Sequence, residues 1–272
     1  MNWLMLLSFG CAGPPRHGAG LRLNRRHFVS SLIALGGAAA GTVIANAYYP
    51  LAGLSDDFAT RTGKRRLHRL PDGSQLLLHA RTRVDLSYAR DARILHLLEG
   101  AASLTARPDA ARPFLIRTSE GTVRPLGPRV MVRQQVRRTL VVAADNPVEI
   151  ETATGTRARI PPGVGVRFDS TLVAPPRPDL LDDAAWENGW IIAHDRPLIE
   201  VIAALRPYRE GMLRISTAAG GLLANGRYPL DDTDTTLRSL QARMPIQVRR
   251  ITPWFVSVDM AAPYAGVRAP DI

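Results

Sequence analysis

The 272-residue sequence predicts a mainly β protein: an antiparallel β-rich domain, then a small C-terminal α+β domain, with one transmembrane or signal helix in front of them. Three observations predict this fold class. Short apolar runs, separated by turn residues, recur at a spacing of about ten residues through the first domain. Helix-like and strand-like apolar periodicities alternate through the second domain. An uncharged run of 22 residues near the N-terminus accounts for the single helix.

The predicted segments follow from shifts in composition along the chain. In order, they are a short cytoplasmic segment at 1–24, a transmembrane helix or twin-arginine signal segment at 25–49, a linker at 50–65, the β domain at 66–170, a Pro-rich linker at 171–184, the α+β domain at 185–260 and a tail at 261–272.

The uncharged run 28–49 follows two arginines, Arg25 and Arg26. As a helix it would be about 33 Å long, which is enough to cross the hydrocarbon core of a membrane. Because the arginines precede it, the positive-inside rule places the N-terminus in the cytoplasm and the bulk of the chain outside. A cleaved twin-arginine signal is the second interpretation. The residues that would carry either export signal are Arg25, Arg26, Phe28, Ala45 and Ala47.

The stretch Leu67–Ala106 shows how the β pattern is built. Pro71–Gly73 supplies a fixed φ and a glycine that is free to take a positive φ, which predicts a tight reversal between two strands. Farther on, Val84, Leu86 and Tyr88 alternate with polar residues, so these three are expected to face the core. The polar residues expected to face solvent are Arg83, Asp85 and Ser87.

Turn residues divide the rest of the β domain into short strands. These strands are predicted over residues 114–118, 122–126, 130–133, 139–143, 148–151 and 157–160. In the α+β domain, apolar residues at helical spacing predict one helix that starts at Pro197 and a second that follows Asp231 and Asp232. Its strands are predicted over residues 212–216, 222–228, 246–250 and 254–259.

The composition is basic, with a formal charge of +11, but Lys64 is the only lysine among 35 basic residues. The arginines are spread along strands at alternating positions, which is typical of a solvated sheet face rather than of a nucleic-acid-binding patch. No nucleic-acid partner is therefore predicted. Cys11 is the sole cysteine, so the sequence excludes an internal disulfide and any metal site built from several cysteines.

The sequence contains no catalytic or cofactor motif. The six histidines lack metal-ligand spacing, no Gly-x-Ser-x-Gly turn occurs, and no Gly-rich phosphate loop precedes a helix. Asp231, Asp232 and Asp234 are spaced like the start of a calcium loop, but they suit the N-terminus of a helix better. The sequence thus predicts no enzyme, no cofactor and no metal site.

Aromatic residues of the second domain are the candidates for partner binding. One group either fills a small core or forms a contact surface, and it consists of Trp186, Trp190, Tyr208 and Tyr228. A second group lies on the predicted strand 254–258, where a groove or an exposed edge could dock a strand of another chain. Its members are Trp254, Phe255 and Val256.

Several motifs, in their order along the chain, resemble the FecR family. In the β domain they are Leu70–Ser74, Leu97–Ala101, Arg112–Thr118 and Pro125–Gly127. In the second domain they are Trp186–Trp190, His194–Leu198 and Leu205–Arg209. This second part is similar to the short N-terminal domain of secretins and TonB-dependent receptors.

The resemblance implies a membrane-bound regulator of an extracytoplasmic-function sigma factor. Such a protein sits in the inner membrane with its bulk in the periplasm, and it responds to the signalling domain of a TonB-dependent outer-membrane receptor, as in iron-chelate uptake. The resemblance also favours a retained anchor over a cleaved signal. Only 24 residues precede Arg25, too few for the helical cytoplasmic domain with which the family grips its sigma factor. The alternative is an exported periplasmic binding or scaffold protein without sigma-factor regulation.

Overall fold

The computed structural model of the protein describes residues 58–261, which lie within one compact unit, Gly53–Ile272. The predicted cytoplasmic segment and the predicted helix at 25–49 lie outside the described residues, and so do all but the first residue of the predicted tail. The export-signal residues are therefore also outside them. Between residues 58 and 261, no helix combines the length and the apolar character needed to cross a membrane.

The β-rich part consists of thirteen strands between residues 58 and 168. Their bounds are β1 Phe58–Ala59, β2 Arg66–Arg69, β3 Gln75–Leu78, β4 Arg83–Tyr88, β5 Arg93–Glu99, β6 Ala101–Thr105, β7 Phe114–Thr118, β8 Gly121–Pro125, β9 Arg129–Gln135, β10 Arg138–Ala143, β11 Val148–Thr152, β12 Arg157–Ile160 and β13 Val164–Phe168. Sheet A has the order β1-β4-β5-β7-β8-β11-β12, and sheet B has the order β13-β10-β9-β6-β3-β2. Nearly all neighbours pair antiparallel, β5 and β7 being the parallel exception, so the predicted fold class is confirmed.

The reversal predicted at Pro71–Gly73 is confirmed. Strands β2 and β3 pair antiparallel, and Gly73 has a φ of +84°. Asp72 holds the turn from within, because its Oδ1 accepts the backbone N–H of Ser74 at 3.0 Å and its Oδ2 accepts the Ser74 hydroxyl at 2.7 Å. The buried guanidinium of Arg93 on β5 forms an ion pair with the same carboxylate.

Arg93 also ties this turn to the start of β7. Its Nε donates to the carbonyl oxygen of Arg112 at 2.7 Å, and its guanidinium carbon lies 4.1 Å from the centre of the Phe114 ring. A buried guanidinium needs both a counter-charge and acceptors for its N–H groups. Here Asp72 supplies the charge and Arg112 supplies an acceptor.

The predicted alternation in β4 is only partly right. Val84 is buried as expected, but Asp85 is buried as well and Tyr88 is exposed. The register of β4 on β5 shifts between Arg83 and Val84. From Val84 to Tyr88 the pairing is regular, so the side chains still alternate between the two faces. Burial departs from the prediction because Asp85 is covered on the opposite face and Tyr88 lies at the exposed end of the strand.

The central strands of sheet B are buried on both faces, whereas its edge strand β2 is largely exposed. Strand β10 shows this most clearly, because residues 139–143 are all buried. Toward sheet A, sheet B contributes Leu76, Leu104, Val132 and Val141 to one core. On the other face, the residues that join a second core with the α+β part are Ala101, Met131, Leu140 and Val142. Sheet B is therefore the middle of three layers.

The α+β part begins with a 3-10 helix, Pro178–Asn188, that overlaps the predicted Pro-rich linker. The following elements are β14 Trp190–Pro197, α1 Leu198–Leu205, a 3-10 turn Arg206–Tyr208, β15 Met212–Ile215, α2 Thr217–Gly220, β16 Leu223–Pro229, α3 Thr233–Arg243, β17 Ile246–Thr252 and β18 Phe255–Met260. Both predicted helices form, and Asp232 caps α3 by accepting the N–H of Thr235 at 2.9 Å. The predicted domain boundaries stay a prediction.

The prediction that strand 254–258 is an exposed edge is wrong. Strand β18 lies between β15 and β17, parallel to the first and antiparallel to the second. Because both sides of its backbone are already hydrogen-bonded, β18 cannot accept a strand from a partner. Its parallel pairing with β15 joins segments that are distant in the chain, and no local pattern reveals such a pairing.

Breaking the buried ion pair of Arg93 should destabilise the β-rich part. Asp72→Ala leaves a buried guanidinium without its carboxylate, so we expect the free energy of unfolding to fall by about 3 kcal/mol in urea titrations at neutral pH. Glu151→Ala removes an exposed partner of Arg157 and should change the same quantity by less than about 1 kcal/mol. Equal losses in the two variants would contradict this account of the turn.

Candidate functional site

The junction between sheet B and the α+β part is organised around one buried carboxylate, that of Asp183 on the 3-10 helix. Its Oδ1 accepts from Arg196 of β14 at 2.8 Å and from Arg133 of β9 at 3.2 Å. Its Oδ2 lies 3.8 Å from Arg167 of β13. Burial alone would raise the pKa of Asp183, but the three guanidinium groups hold it below its ordinary value. Asp183 is therefore ionised and joins three strands.

Two further arginines clamp the end of the same 3-10 helix. Arg65, just before β2, donates to the carbonyl oxygens of Trp186 at 2.8 Å and Glu187 at 3.1 Å, and it pairs with Asp231 at 2.6 Å. Arg129 of β9 pairs with the carboxylate of Glu187. The 3-10 helix is thus fixed to the β-rich part along its length.

His79 is buried at the centre of this junction. Its ring meets the rings of Trp186 and Tyr208 edge to face, with 4.9 Å between centres in both cases. Its Nδ1–H donates to the carbonyl oxygen of Ala80 at 3.0 Å. Burial, with the positive charge of nearby arginines, lowers the pKa of His79 to about 3. The imidazole is therefore neutral at neutral pH.

The structure divides the first group of predicted partner-binding residues. Trp186, Tyr208 and Tyr228 are buried, so for these three the core interpretation applies. Trp190 is half-buried, and the guanidinium of Arg227 lies over it at 4.0 Å from the ring centre. Of this group, only Trp190 still presents part of its ring to solvent.

The second predicted group is split in the same way. Val256 is buried and Phe255 is half-buried within β18. Trp254, in the turn before β18, is 62% exposed. Partner binding by Trp254, and by the half-buried Trp190 and Phe255, stays a prediction. Among residues 58–261, no three potential metal ligands come together.

The sequence pointed to Trp186 and Tyr208 at the junction, but not to Asp183 or the arginines around it. The unbroken apolar run in β10 was the available signal, because a strand with one solvated face alternates whereas a strand covered on both faces does not. Nothing in the sequence distinguishes Asp183 from its neighbour Asp182. The carboxylate of Asp182 instead bonds the Nδ1 of the exposed His194 at 2.9 Å.

Removing the charge of Asp183 should loosen the junction. Asp183→Asn removes the counter-charge of the largely buried Arg133 and Arg167, whereas Arg196 keeps Glu200, so we expect the free energy of unfolding to fall by about 3 kcal/mol. Hydrogen exchange should rise first at the backbone of the 3-10 helix and β14. Asp182→Asn is the matched control and should leave both quantities nearly unchanged. If the two variants behaved alike, the buried network would not be what joins the layers.

His79 should make the protein less stable in mild acid. The folded pKa of about 3 lies below the unfolded value of about 6.5, so the unfolded chain binds more protons and stability falls as the pH drops between these values. From pH 7 to pH 5 the loss should be about 2 kcal/mol, measured by urea unfolding. His79→Phe should abolish most of this loss, whereas His68→Gln should retain most of it. A pH dependence that is unchanged in His79→Phe would contradict the assignment.

The described fold resembles known proteins in two comparisons. Residues 56–149 match the family model described as FecR protein, a span that runs from β1 into β11. No curated protein gives a sequence match. Two crystal structures of a candidate anti-sigma factor from Parabacteroides distasonis are similar in structure. One has a TM-score of 0.64 and 19% identity, and covers 75% of this chain and 98% of that chain.

The other has a TM-score of 0.63 and 20% identity, and covers 74% of this chain and 97% of that chain. At these identities the likeness shows a shared fold. The part of this chain that the two crystal structures cover is longer than the family match at residues 56–149. The shared fold therefore continues past sheets A and B into the α+β part. The chain thus carries a FecR domain at residues 56–149.

Proposed function

We propose that the protein regulates an extracytoplasmic-function sigma factor by protein contact, in response to a TonB-dependent outer-membrane receptor of the iron-chelate uptake type. The FecR match on the β-rich part supports this role, and so does a fold shared with candidate anti-sigma factors. The observation that carries the proposal is the junction at Asp183. Because the two parts share a core and a buried ion network, a partner that favours one arrangement of the α+β part also acts on the FecR domain.

We also propose that the bulk of the protein lies in the periplasm and is held at the inner membrane by the segment 25–49. Arg25 and Arg26, in front of the uncharged run, support this orientation. Membrane fractionation with N-terminal sequencing distinguishes this anchor from a signal that is cleaved after Ala47. A cleaved, soluble protein would favour the binding or scaffold role instead.

The contact with the receptor is proposed at the exposed apolar side chains around Trp254. The carbonyl oxygen of Trp254 accepts the N–H of Met212 at 2.7 Å, which brings the two residues together at one end of β15. Met212 is exposed, and so is Ile251 near the end of β17. Tryptophan side chains of this kind often contribute strongly to binding at protein interfaces.

Deleting the gene from its bacterium should change the transcripts of one set of sigma-factor-dependent promoters. Re-expression of the full chain should restore them. Trp254→Ala should fail to restore the response to the receptor's ligand, while its free energy of unfolding stays within about 0.5 kcal/mol of the original value.

Leu67→Ala is the matched control, because Leu67 on β2 is 61% exposed and lies in the other part of the protein. This variant should restore the response. Transcripts that do not change in the deletion strain would overturn sigma-factor regulation and favour the scaffold alternative.

A further inference from the structure

A groove of about 840 Å³ runs between sheet B and the helical side of the α+β part. One wall is formed by the turn around Arg81, the β5–β6 turn and the hairpin of β9 and β10. The other wall is formed by α1 and the 3-10 turn that follows it. The volume lies at the upper end of the range for binding pockets, so the groove is large enough for a segment of several residues.

The groove is strongly basic. Six arginines line it: Arg81, Arg133, Arg138, Arg167, Arg196 and Arg206. Two glutamates also line it, and both already have partners. Glu200 pairs with Arg196 at 3.1 Å, and Glu99 pairs with Arg83 at 3.4 Å.

Three of the six arginines keep an uncompensated charge. Arg81, Arg138 and Arg206 form no ion pair with any residue between 58 and 261, whereas the other three converge on Asp183. Two of them are nevertheless held in place by neutral acceptors. Arg81 donates to the Thr62 hydroxyl at 2.9 Å, and Arg206 donates to the carbonyl oxygen of Leu213 at 3.2 Å. Fixed, unpaired guanidinium groups are preorganised to bind carboxylates.

The backbone supports a binding role for this region. Arg81 has a φ of +53°, and Arg137, at the tip of the β9–β10 hairpin beside the groove, has a φ of +59°. Left-handed backbone costs an ordinary residue about 1 kcal/mol relative to glycine, and such positions cluster at binding sites. Two arginines therefore occupy strained positions around one groove.

The rim of the groove is apolar as well as basic. Val136, at the hairpin tip, is 87% exposed, and Leu98 is also exposed. A phosphate-bearing ligand would pair with the arginines but leave these two side chains uncovered. A protein segment that carries both carboxylates and apolar side chains matches both features.

We propose that this groove binds an acidic, partly apolar segment of a partner protein, with carboxylates against Arg81, Arg138 and Arg206 and apolar side chains against Val136 and Leu98. The proposal extends the proposed function. It rests on that function in one respect only, namely that the molecule bound in the groove is a protein. It locates a second contact, apart from the one proposed at Trp254.

The test measures binding of a labelled synthetic peptide to the full chain by fluorescence anisotropy. The peptide has about ten residues, enough to cross the groove in extended form, and alternates glutamate and valine with serine spacers. The control peptide has glutamine in place of glutamate. We expect the acidic peptide to bind, and Arg138→Glu to weaken its binding about tenfold. Arg159→Glu, the same charge change on the edge strand β12 of sheet A, should leave binding unchanged.

Several results would overturn the proposal: no binding of the acidic peptide, equal binding of the glutamine peptide, or equal weakening by Arg138→Glu and Arg159→Glu. Preferential binding of duplex DNA or of vesicles rich in anionic lipid, competing with the peptide, would also overturn it in favour of those ligands. The side chain of Arg138 contacts no hydrogen-bond acceptor among the described residues, so its substitution should not impair folding. A negative peptide result with an intact transcriptional response would remove the groove proposal alone.

Discussion

The buried carboxylate of Asp183 is the interaction on which the arrangement of the layers depends. Arginines from β9, β13 and β14 converge on it, two from sheet B and one from the α+β part. Burying a guanidinium is unfavourable unless a counter-charge meets it with good geometry. The 3-10 helix that carries Asp183 therefore has one position in which its carboxylate lies within 4 Å of all three guanidinium groups, and Glu200 supplies Arg196 with a second counter-charge. The apolar core contributes the larger share of the folding free energy, and the ion network selects the geometry.

The docking of this helix makes sheet B the middle layer and constrains its backbone. A Cβ atom placed on Gly165 of β13 would lie only 2.4 Å from the Cβ of Leu180 on the helix. At the same point Gly165 and Arg177 exchange two backbone hydrogen bonds, of 2.9 and 2.8 Å. The helix thus packs directly on the strand backbone, and a residue larger than glycine would push the layers apart.

The sequence predicted local structure well and the contacts between distant segments poorly. The reversal before β3, the buried face of α1 and most strands of the β-rich part follow from turn chemistry and periodicity, which depend on neighbouring residues. The contacts at the junction do not follow from neighbouring residues, because the pairing of Asp183 with Arg133 depends on how whole layers pack. The same limit explains the aromatic residues: Tyr228 and Trp254 look alike as candidates in sequence, yet packing buries the first and exposes the second.

The packing of the layers shows what the arginines of this chain do that lysines could not. Arg133 donates from both of its terminal nitrogens, to the Oδ1 of Asp183 and to the Asp183 carbonyl oxygen, each at 3.2 Å. A lysine has one compact, strongly hydrated charge and could not span both acceptors as a planar group can. At the groove, the same planar group lets Arg206 donate to a neutral carbonyl while its charge stays available. Arginine therefore has two different roles in this protein. Paired with Asp183, it fixes the layers together. Hydrogen-bonded to neutral acceptors at the groove, it presents its charge to a partner.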